Sequence, residues 1–232
     1  MGSRVLAISD LQAPYQHPDA LPFACAVREK HKTDKVVVIG DEIDCHALTD
    51  FVPDPDGYSA GHELDAALRF LERLYAEFPA AKVCESNHPE RIKRRRKKAG
   101  IPSAMMRELR QILQAPRGWV WGKQWVVDDV LYEHGNSIGG ASHTAAQRMV
   151  LKNGMSTVFG HRHSGGGVIY LGNPRGRMFG LNVGCLIDIT ASAFDYVKRP
   201  ELITLGCGVV ADDVAQFIPM ITDSRGRWRG RL

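Results

Sequence analysis

Two imidazoles stand one residue apart in Gly160-His161-Arg162-His163, directly after the short apolar run Thr157-Val158-Phe159. Glycine lies on both sides, at Gly160 and again at Gly165, Gly166 and Gly167, so the pair falls on a loop at a strand end. That is a natural metal-ligand arrangement. A lone histidine would carry little weight, being more often a satisfied core or surface group. Here, other apolar runs also end in residues with a coordinating atom. Asp10 and Gln12 follow Val5 to Ser9, Asp41 and Asp44 follow Lys35 to Ile39, Asn87 and His88 follow Ala81 to Glu85, and His134 follows Val130 to Glu133. Carboxylate, imidazole and amide oxygen together suit a mixed nitrogen–oxygen site for two divalent ions.

The elements that must position these groups alternate strand, loop and helix. Val5–Ser9, Lys35–Ile39 and Ala81–Glu85 are short, uninterrupted apolar runs of the kind found in parallel sheets. Helices are expected over Pro18–Lys32 and Gly61–Phe78, the second with Leu64, Leu68, Leu71 and Leu74 on one face. Pro53 to Gly61 reads as a loop. In open α/β sheets, sites assemble outside the carboxyl ends of strands, so Asp10, Asp41 and Asn87 should converge. Arg91 to Lys98 continues helically, and Ser103 could cap a further helix to about Gln114 with Met106, Leu109 and Leu113 on one stripe. Trp119–Trp121, Gln124–Val127 and Val130–Glu133 read as strands, and Ala145–Asn153 as a helix stopped by Gly154. After the histidine pair come two strand pairs. One turns at Gly172-Asn173-Pro174-Arg175-Gly176 and the other at Asp212-Asp213.

Taken in order, Asp10-Leu11-Gln12, Gly40-Asp41-Glu42-Ile43-Asp44, Ser86-Asn87-His88-Pro89-Glu90, His134-Gly135 and Gly160-His161-Arg162-His163 resemble the ordered motifs of the calcineurin-like metallophosphoesterases. Asn182-Val183-Gly184-Cys185 resembles the short turn that follows the last motif in many members. The resemblance covers roughly residues 4 to 190. It implies an α/β fold, a four-layer αββα sandwich of two mixed β-sheets flanked by helices. It also implies that Asp10 and His163 bind a first metal, that Asp41 bridges, and that Asn87, His134 and His161 bind a second. His88 would then serve as proton donor or charge stabiliser at the leaving oxygen, with Asp44 orienting it. The two divalent ions, Mn2+ first and Mg2+, Fe2+, Ni2+ or Zn2+ as other occupants, would activate water with no covalent enzyme intermediate.

Two departures from the family pattern stand out. Gln12 takes the place of a histidine; its amide oxygen could still face the first metal and favour oxygen-loving ions, or merely bond a coordinated water. Ser86 replaces a glycine, and Pro89 is inserted before Glu90. Cys45 and Cys84 read as small core residues. His17, His46, His62 and His143 read as surface, with His143 near enough to the site to touch substrate. Trp119, Trp121 and Trp125 could form a stacking platform for bases, but at alternate spacing they suit a core equally.

The chain has 232 residues, enough for one large domain, read here as a single domain over 1–232 with a basic helical excursion at about 89–118 beside the site. Five cysteines without CxxC spacing, no leader pattern and no membrane-length apolar run fit a reducing cytoplasm, and the compact form resembles bacterial and phage phosphoesterases related to DNA-repair nuclease subunits. The net charge of +4 is unevenly spread. Arg91, Lys93, Arg94, Arg95, Arg96, Lys97 and Lys98 form one cluster, and Arg225, Arg227, Arg229 and Arg231 another. The first begins beside the metal motifs and could neutralise backbone phosphates, which makes DNA, single- or double-stranded, the expected substrate and a nuclease the expected activity. The alternatives are a phosphatase or phosphodiesterase on a small molecule or phosphoprotein, with the run merely solvated and the tail frayed, and a metal-binding scaffold that has lost its chemistry. The apolar stripe near 103–114 could serve as a homodimer face or pack on the core.

Overall fold

The computed structural model of the protein describes residues 2–50, 56–139, 142–174, 176–191 and 203–232. Its strands form two mixed sheets. The first contains β1 (Val5–Ile8), β2 (Lys35–Val38), β3 (Ala80–Cys84) and β4 (Gly118–Gly122), all parallel, extended beyond β1 by the antiparallel pair β10 (Gly206–Ala211) and β11 (Val214–Pro219). The second runs β5 (Gln124–Val127), β6 (Val130–Glu133), β7 (Thr157–Phe159), β9 (Gly176–Val183), β8 (Gly166–Asn173), with β6, β7 and β9 parallel. The chain changes sheets between Gly122 and Gln124, so the two tryptophan-bearing runs, adjacent in sequence, lie in different layers.

Side-chain alternation lets each strand serve two cores. Leu6 and Ile8 of β1 pack with Phe23 and Val27 of α1 (Ala20–His31) and with Leu71 and Leu74 of α2 (Ala60–Glu77). Val5 and Ala7 face the other way, onto Tyr132, Val158 and Leu181 of the second sheet. That sheet's far face is covered by α5 (Ala145–Asn153), whose Ala145, Ala146 and Met149 meet Phe159. The layers are therefore helix, sheet, sheet, helix, as the family resemblance implied. A fully buried leucine such as Leu71 or Leu74 contributes roughly 1.5–3 kcal/mol.

Several local expectations need correction. On α2 the fully buried face is Ala67, Phe70, Leu71 and Leu74, while Leu64 and Leu68 are only half-buried. The helix expected over 103–114 is absent. Ser103–Met105 is one 3-10 turn, Met106 is extended, and α4 (Leu109–Ile112) restarts on a capping box between Glu108 and Gln111. It stops where Gln114 turns left-handed (φ 52°) ahead of Pro116. Leu113 is buried and Leu109 and Ile112 pack on the main core, so these positions face inward, whereas Met106 of the expected stripe is exposed along with Met105. The tail is not frayed. Arg227 pairs with Asp19, the Trp228 amide donates to the same carboxylate, and the Trp228 ring packs edge-on against Phe23. His17 is buried rather than superficial, accepting from the Asp19 amide and donating to the Gly226 carbonyl (2.7 Å). Cys84 is buried as expected, whereas Cys45 is half-buried with a left-handed backbone. His62 and His143 are exposed. Trp119 is fully buried with its indole N–H on the Phe78 carbonyl, which removes it as a stacking platform. Part of the expected 53–61 loop, Gly140 and Arg175 lie outside the described residues. Among the described residues no helix is long and apolar enough to cross a membrane.

Candidate metal centre

The carboxyl ends of β1, β2, β3, β6 and β7 open on one side, and the loops there are tied to one another. The Asp10 amide donates to the Gly40 carbonyl, the Gln12 amide to that of Asp41, and the Gly160 amide to that of His134. Four residues in these loops, Asp10, Gln12, Asp41 and His161, have left-handed backbones, with φ of 49°, 48°, 49° and 65°. Each such conformation costs on the order of 1–3 kcal/mol, and strain of this kind clusters at functional sites.

Each carboxylate is aimed by neighbours that occupy one oxygen and leave the other. Asp10 Oδ2 accepts from the Ser9 hydroxyl and from the His161 amide (2.9 Å), leaving Oδ1 facing His163 Nε2 at 3.0 Å. The approach is so close that a Cβ on Gly160 would lie 1.8 Å from Ser9 Oγ. Asp41 Oδ1 accepts from the His88 amide (3.0 Å), while buried Oδ2 makes no well-aligned hydrogen bond and lies 3.2 Å from His134 Nε2. The Asp41 amide in turn donates to Ser86 Oγ (2.7 Å). Ser86 can stand there only because Gly40 has no side chain, since a Cβ on Gly40 would come within 2.5 Å of Ser86 Cβ. The serine is thus a working replacement in the third motif.

His134 Nδ1 lies 2.8 Å from the Ile39 carbonyl and so carries a hydrogen, which points Nε2 inward. There it meets Asn87 Oδ1 at 2.9 Å as well as Asp41 Oδ2, and the His161 ring lies 4.9 Å away, centre to centre. Asp41, His134 and His161 each offer a donor atom within 4.8 Å of the others. Beside them, buried Gln12 presents Nε2 to His163 Nε2 (3.4 Å) and His88 Nε2 (3.5 Å), and its Oε1 has no partner. Half a turn of the amide exchanges the two atoms. Orphaned oxygens facing imidazole lone pairs fit a cation.

The electrostatics agree with that fit. Burial opposes ionisation of Asp41, yet His134 and His88 hold it well below the usual carboxylate range. Burial likewise opposes Asp10, but His163 keeps it low. Burial works against a charge on His134, but Asp41 pushes it up to about 9, so the pocket seeks positive charge. Burial and then His134 push His161 down to about 4, leaving it a neutral donor. His88 is raised: burial lowers it, and Asp41 and Asp44 more than compensate.

Asp44 stands behind His88. Its carbonyl is 3.1 Å and its carboxylate 3.4 Å from His88 Nδ1, and Arg91 grips both Asp44 groups, Oδ1 at 2.8 Å and O at 3.0 Å. Arg91 is therefore a half-buried clamp on Asp44, not a free phosphate contact. Arg95 is also turned inward, onto the Leu48 and Thr49 carbonyls, while Lys98 and Arg94 face Asp50 at 2.6 and 3.6 Å. Arg96 donates to the Ile101 carbonyl (2.8 Å). On α3 (Glu90–Lys98), Lys93 and Lys97 are exposed, one turn apart. Sequence reasoning missed Ser9 and the Arg91 clamp. A hydroxyl just before Asp10 is the only trace of the first, and an arginine three residues beyond His88 the only trace of the second.

No family model and no curated protein matches the chain. Among solved structures it is similar to YfcE, a phosphoesterase from E. coli, with 14% identity over 93% of this chain and 92% of that one and a TM-score of 0.44. It is similar to Vps29 from Chaetomium thermophilum at 11% identity, 97% and 93% coverage and a TM-score of 0.47. It is also similar to the nuclease MPE from Pseudomonas putida at 11% identity, 91% and 85% coverage and a TM-score of 0.36. In its two-sheet sandwich and in the order of its polar strand ends, the chain resembles the calcineurin-like metallophosphoesterases.

Proposed function

We propose that the chain is a binuclear metal-dependent phosphodiesterase that cleaves DNA. The observation that carries the metal part is the convergence of Asn87 Oδ1 and Asp41 Oδ2 on His134 Nε2, at 2.9 and 3.2 Å, where a bound cation would replace the imidazole proton. His161 would join them at one ion, Asp10, His163 and Gln12 would hold the other, and Asp41 would stand between. Divalent ions bound there supply charge stabilisation of a phosphoester and a nucleophilic water at neutral pH, with Mn2+ the first choice for such a mixed donor set. His88, raised by its two carboxylates and steadied by Asp44, holds a proton that it can give to a leaving oxygen.

DNA is proposed from α3, which begins immediately beyond the Asn87-His88 loop and shows Lys93 and Lys97 to solvent. Arg94 and Lys98 can exchange Asp50 for a phosphate. The inward use of Arg91 and Arg95 trims this cationic face and favours a second reading, a phosphatase or phosphodiesterase of small molecules or phosphoproteins. The test is hydrolysis of single-stranded DNA, duplex DNA and bis-(p-nitrophenyl) phosphate with Mn2+. Cleavage of all three, with weaker DNA binding and a shallower salt dependence after joint Lys93→Glu and Lys97→Glu substitution, supports the nuclease. Cleavage of the small ester alone removes it. Failure on every substrate by protein shown to bind metal would leave a scaffold.

A further inference from the structure

Behind the metal loops lies a cavity of about 260 Å³ that the chemistry above does not use. Its two sides are the other faces of the segments that build the centre. Asp41 turns to the metals and Glu42 to the cavity, and Asn87 and His88 turn to the metals while Ser86 and Pro89 line the cavity. The remaining wall is apolar, made by Trp121, Ile92, Met106, Leu109 and Ile112. Lys93, Arg96 and Arg107 stand around it, with Glu85, Glu90 and Glu108 among the cations.

One polar feature is out of keeping with that wall. Glu42 is 1% exposed. Trp121 Nε1 donates to its Oε1 at 2.9 Å and fixes the carboxylate, but Oε2 accepts no hydrogen bond from another residue. A buried acceptor without a donor is costly, on the order of 1–3 kcal/mol, and calls for a partner. The cavity is slightly smaller than the range of about 300–1,000 Å³ usual for drug-sized ligands, which suits one flat ring system.

We infer that this cavity receives a single nucleobase, with guanine preferred, held between the Trp121 and Leu109 walls with its N–H edge on Glu42 Oε2. A base has an apolar face for the wall and N–H donors at its rim. Guanine presents two donors side by side on that edge and so best answers a carboxylate; thymine presents one, between two acceptors. Lys93 and Arg96, at the rim, suit the phosphate attached to such a base. The occupant's identity rests on the nuclease reading above, whereas the orphaned carboxylate and the apolar wall do not. With its own phosphate at Lys93 and Arg96, a base seated here would hold the strand beside the metal loops and give the cleavage a preference for position.

The test is calorimetric binding of dGMP, dAMP, dCMP and dTMP to the metal-free full-length chain, followed by mapping of cut positions in single-stranded DNA with Mn2+. Expected is saturable dGMP binding at least tenfold tighter than dTMP, lost as a preference in Glu42→Gln. Leu109→Trp, which fills the cavity from the opposite wall, should abolish binding of every nucleotide with the circular dichroism spectrum kept. Equal affinity for dGMP and dTMP, or a preference that survives both substitutions, overturns the inference. Cutting without guanine preference and without dGMP binding removes the base pocket and leaves the nuclease. dGMP binding that responds to Glu42→Gln, with no DNA cut, keeps the pocket and removes the nuclease.

Discussion

Asn87 Oδ1 and His134 Nε2 stand 2.9 Å apart, with Nδ1 of the same ring directed at the Ile39 carbonyl. Asp41 pushes His134 up to about 9, so without metal a proton on Nε2 bridges the two at neutral pH. A divalent ion bound there would take that proton's place and also engage Asp41 Oδ2 and His161. Mn2+ at a hundred times its dissociation constant should therefore stabilise the fold by about 2.7 kcal/mol, a rise of about 5–10 °C in Tm for a chain of this size. His134→Ala should lose most of that rise while EDTA leaves its Tm unchanged. Thermal unfolding with and without Mn2+ decides the matter, and an equal rise in the variant would remove His134 from the ligand set.

Arg91 holds Asp44 with Nη1 and lies 3.5 Å from His88 Nε2 with Nη2, so it is a positioning residue for His88. Arg91→Lys keeps the charge but cannot grip the carboxylate and the carbonyl together. We expect kcat on DNA to fall about 10–100-fold, with KM and the Mn2+-induced rise in Tm held. The loss should be smaller on bis-(p-nitrophenyl) phosphate, whose leaving group needs no proton. A rise in KM alone would instead make Arg91 a substrate contact.

Much of this was legible in the sequence, and the reason is physical. Short β-branched runs ending in Asp, Asn or His carry both the strand and the ligand in one signal, so β1, β2, β3, β6 and β7 and their terminal residues could be placed. What escaped depends on contacts between distant segments. Ser86 looks like a defect in a glycine-bearing motif until Gly40 is seen to make room for it, and His17 looks like surface until Gly226 arrives to accept its hydrogen. The basic run reads as one solvated face because charge alone does not reveal that Asp44, Asp50 and two carbonyls lie opposite it. The 103–114 helix failed because a stripe of Met106, Leu109 and Leu113 satisfies helical spacing even where Glu108 breaks and restarts the turn.

The tail contact carries a pH dependence. The Arg227 guanidinium on Asp19 holds that carboxyl below its ordinary value, even though burial pulls the other way and the Trp228 amide assists. A group whose folded value is depressed stabilises above its unfolded value, about 3.9, and loses that contribution as pH falls through the folded value. The docked tail should therefore be intact at neutral pH and loosened in acid, by little because Arg227 is largely exposed to screening solvent. Limited proteolysis after Arg225 and Arg227 as a function of pH reads the release. Asp19→Asn should be cut readily at all pH values, and a wild-type tail that is never more readily released as the pH falls through the acid range would contradict the linkage.

Gln12 holds the remaining question about the first ion. Its amide lies between His163 and His88, in a fully buried, left-handed position that the Ala13 amide–Glu42 carbonyl bond helps to fix. The side chain cannot leave without opening the loop, so the amide must either ligate or bond a group that does. An imidazole is the better donor to borderline ions, so Gln12→His should tighten one Mn2+ step about tenfold and Zn2+ by more. The other step, at Asn87, His134 and His161, should be unmoved. Calorimetric titration resolves the two steps. Unchanged affinity at both would show that Gln12 faces a coordinated water rather than the ion.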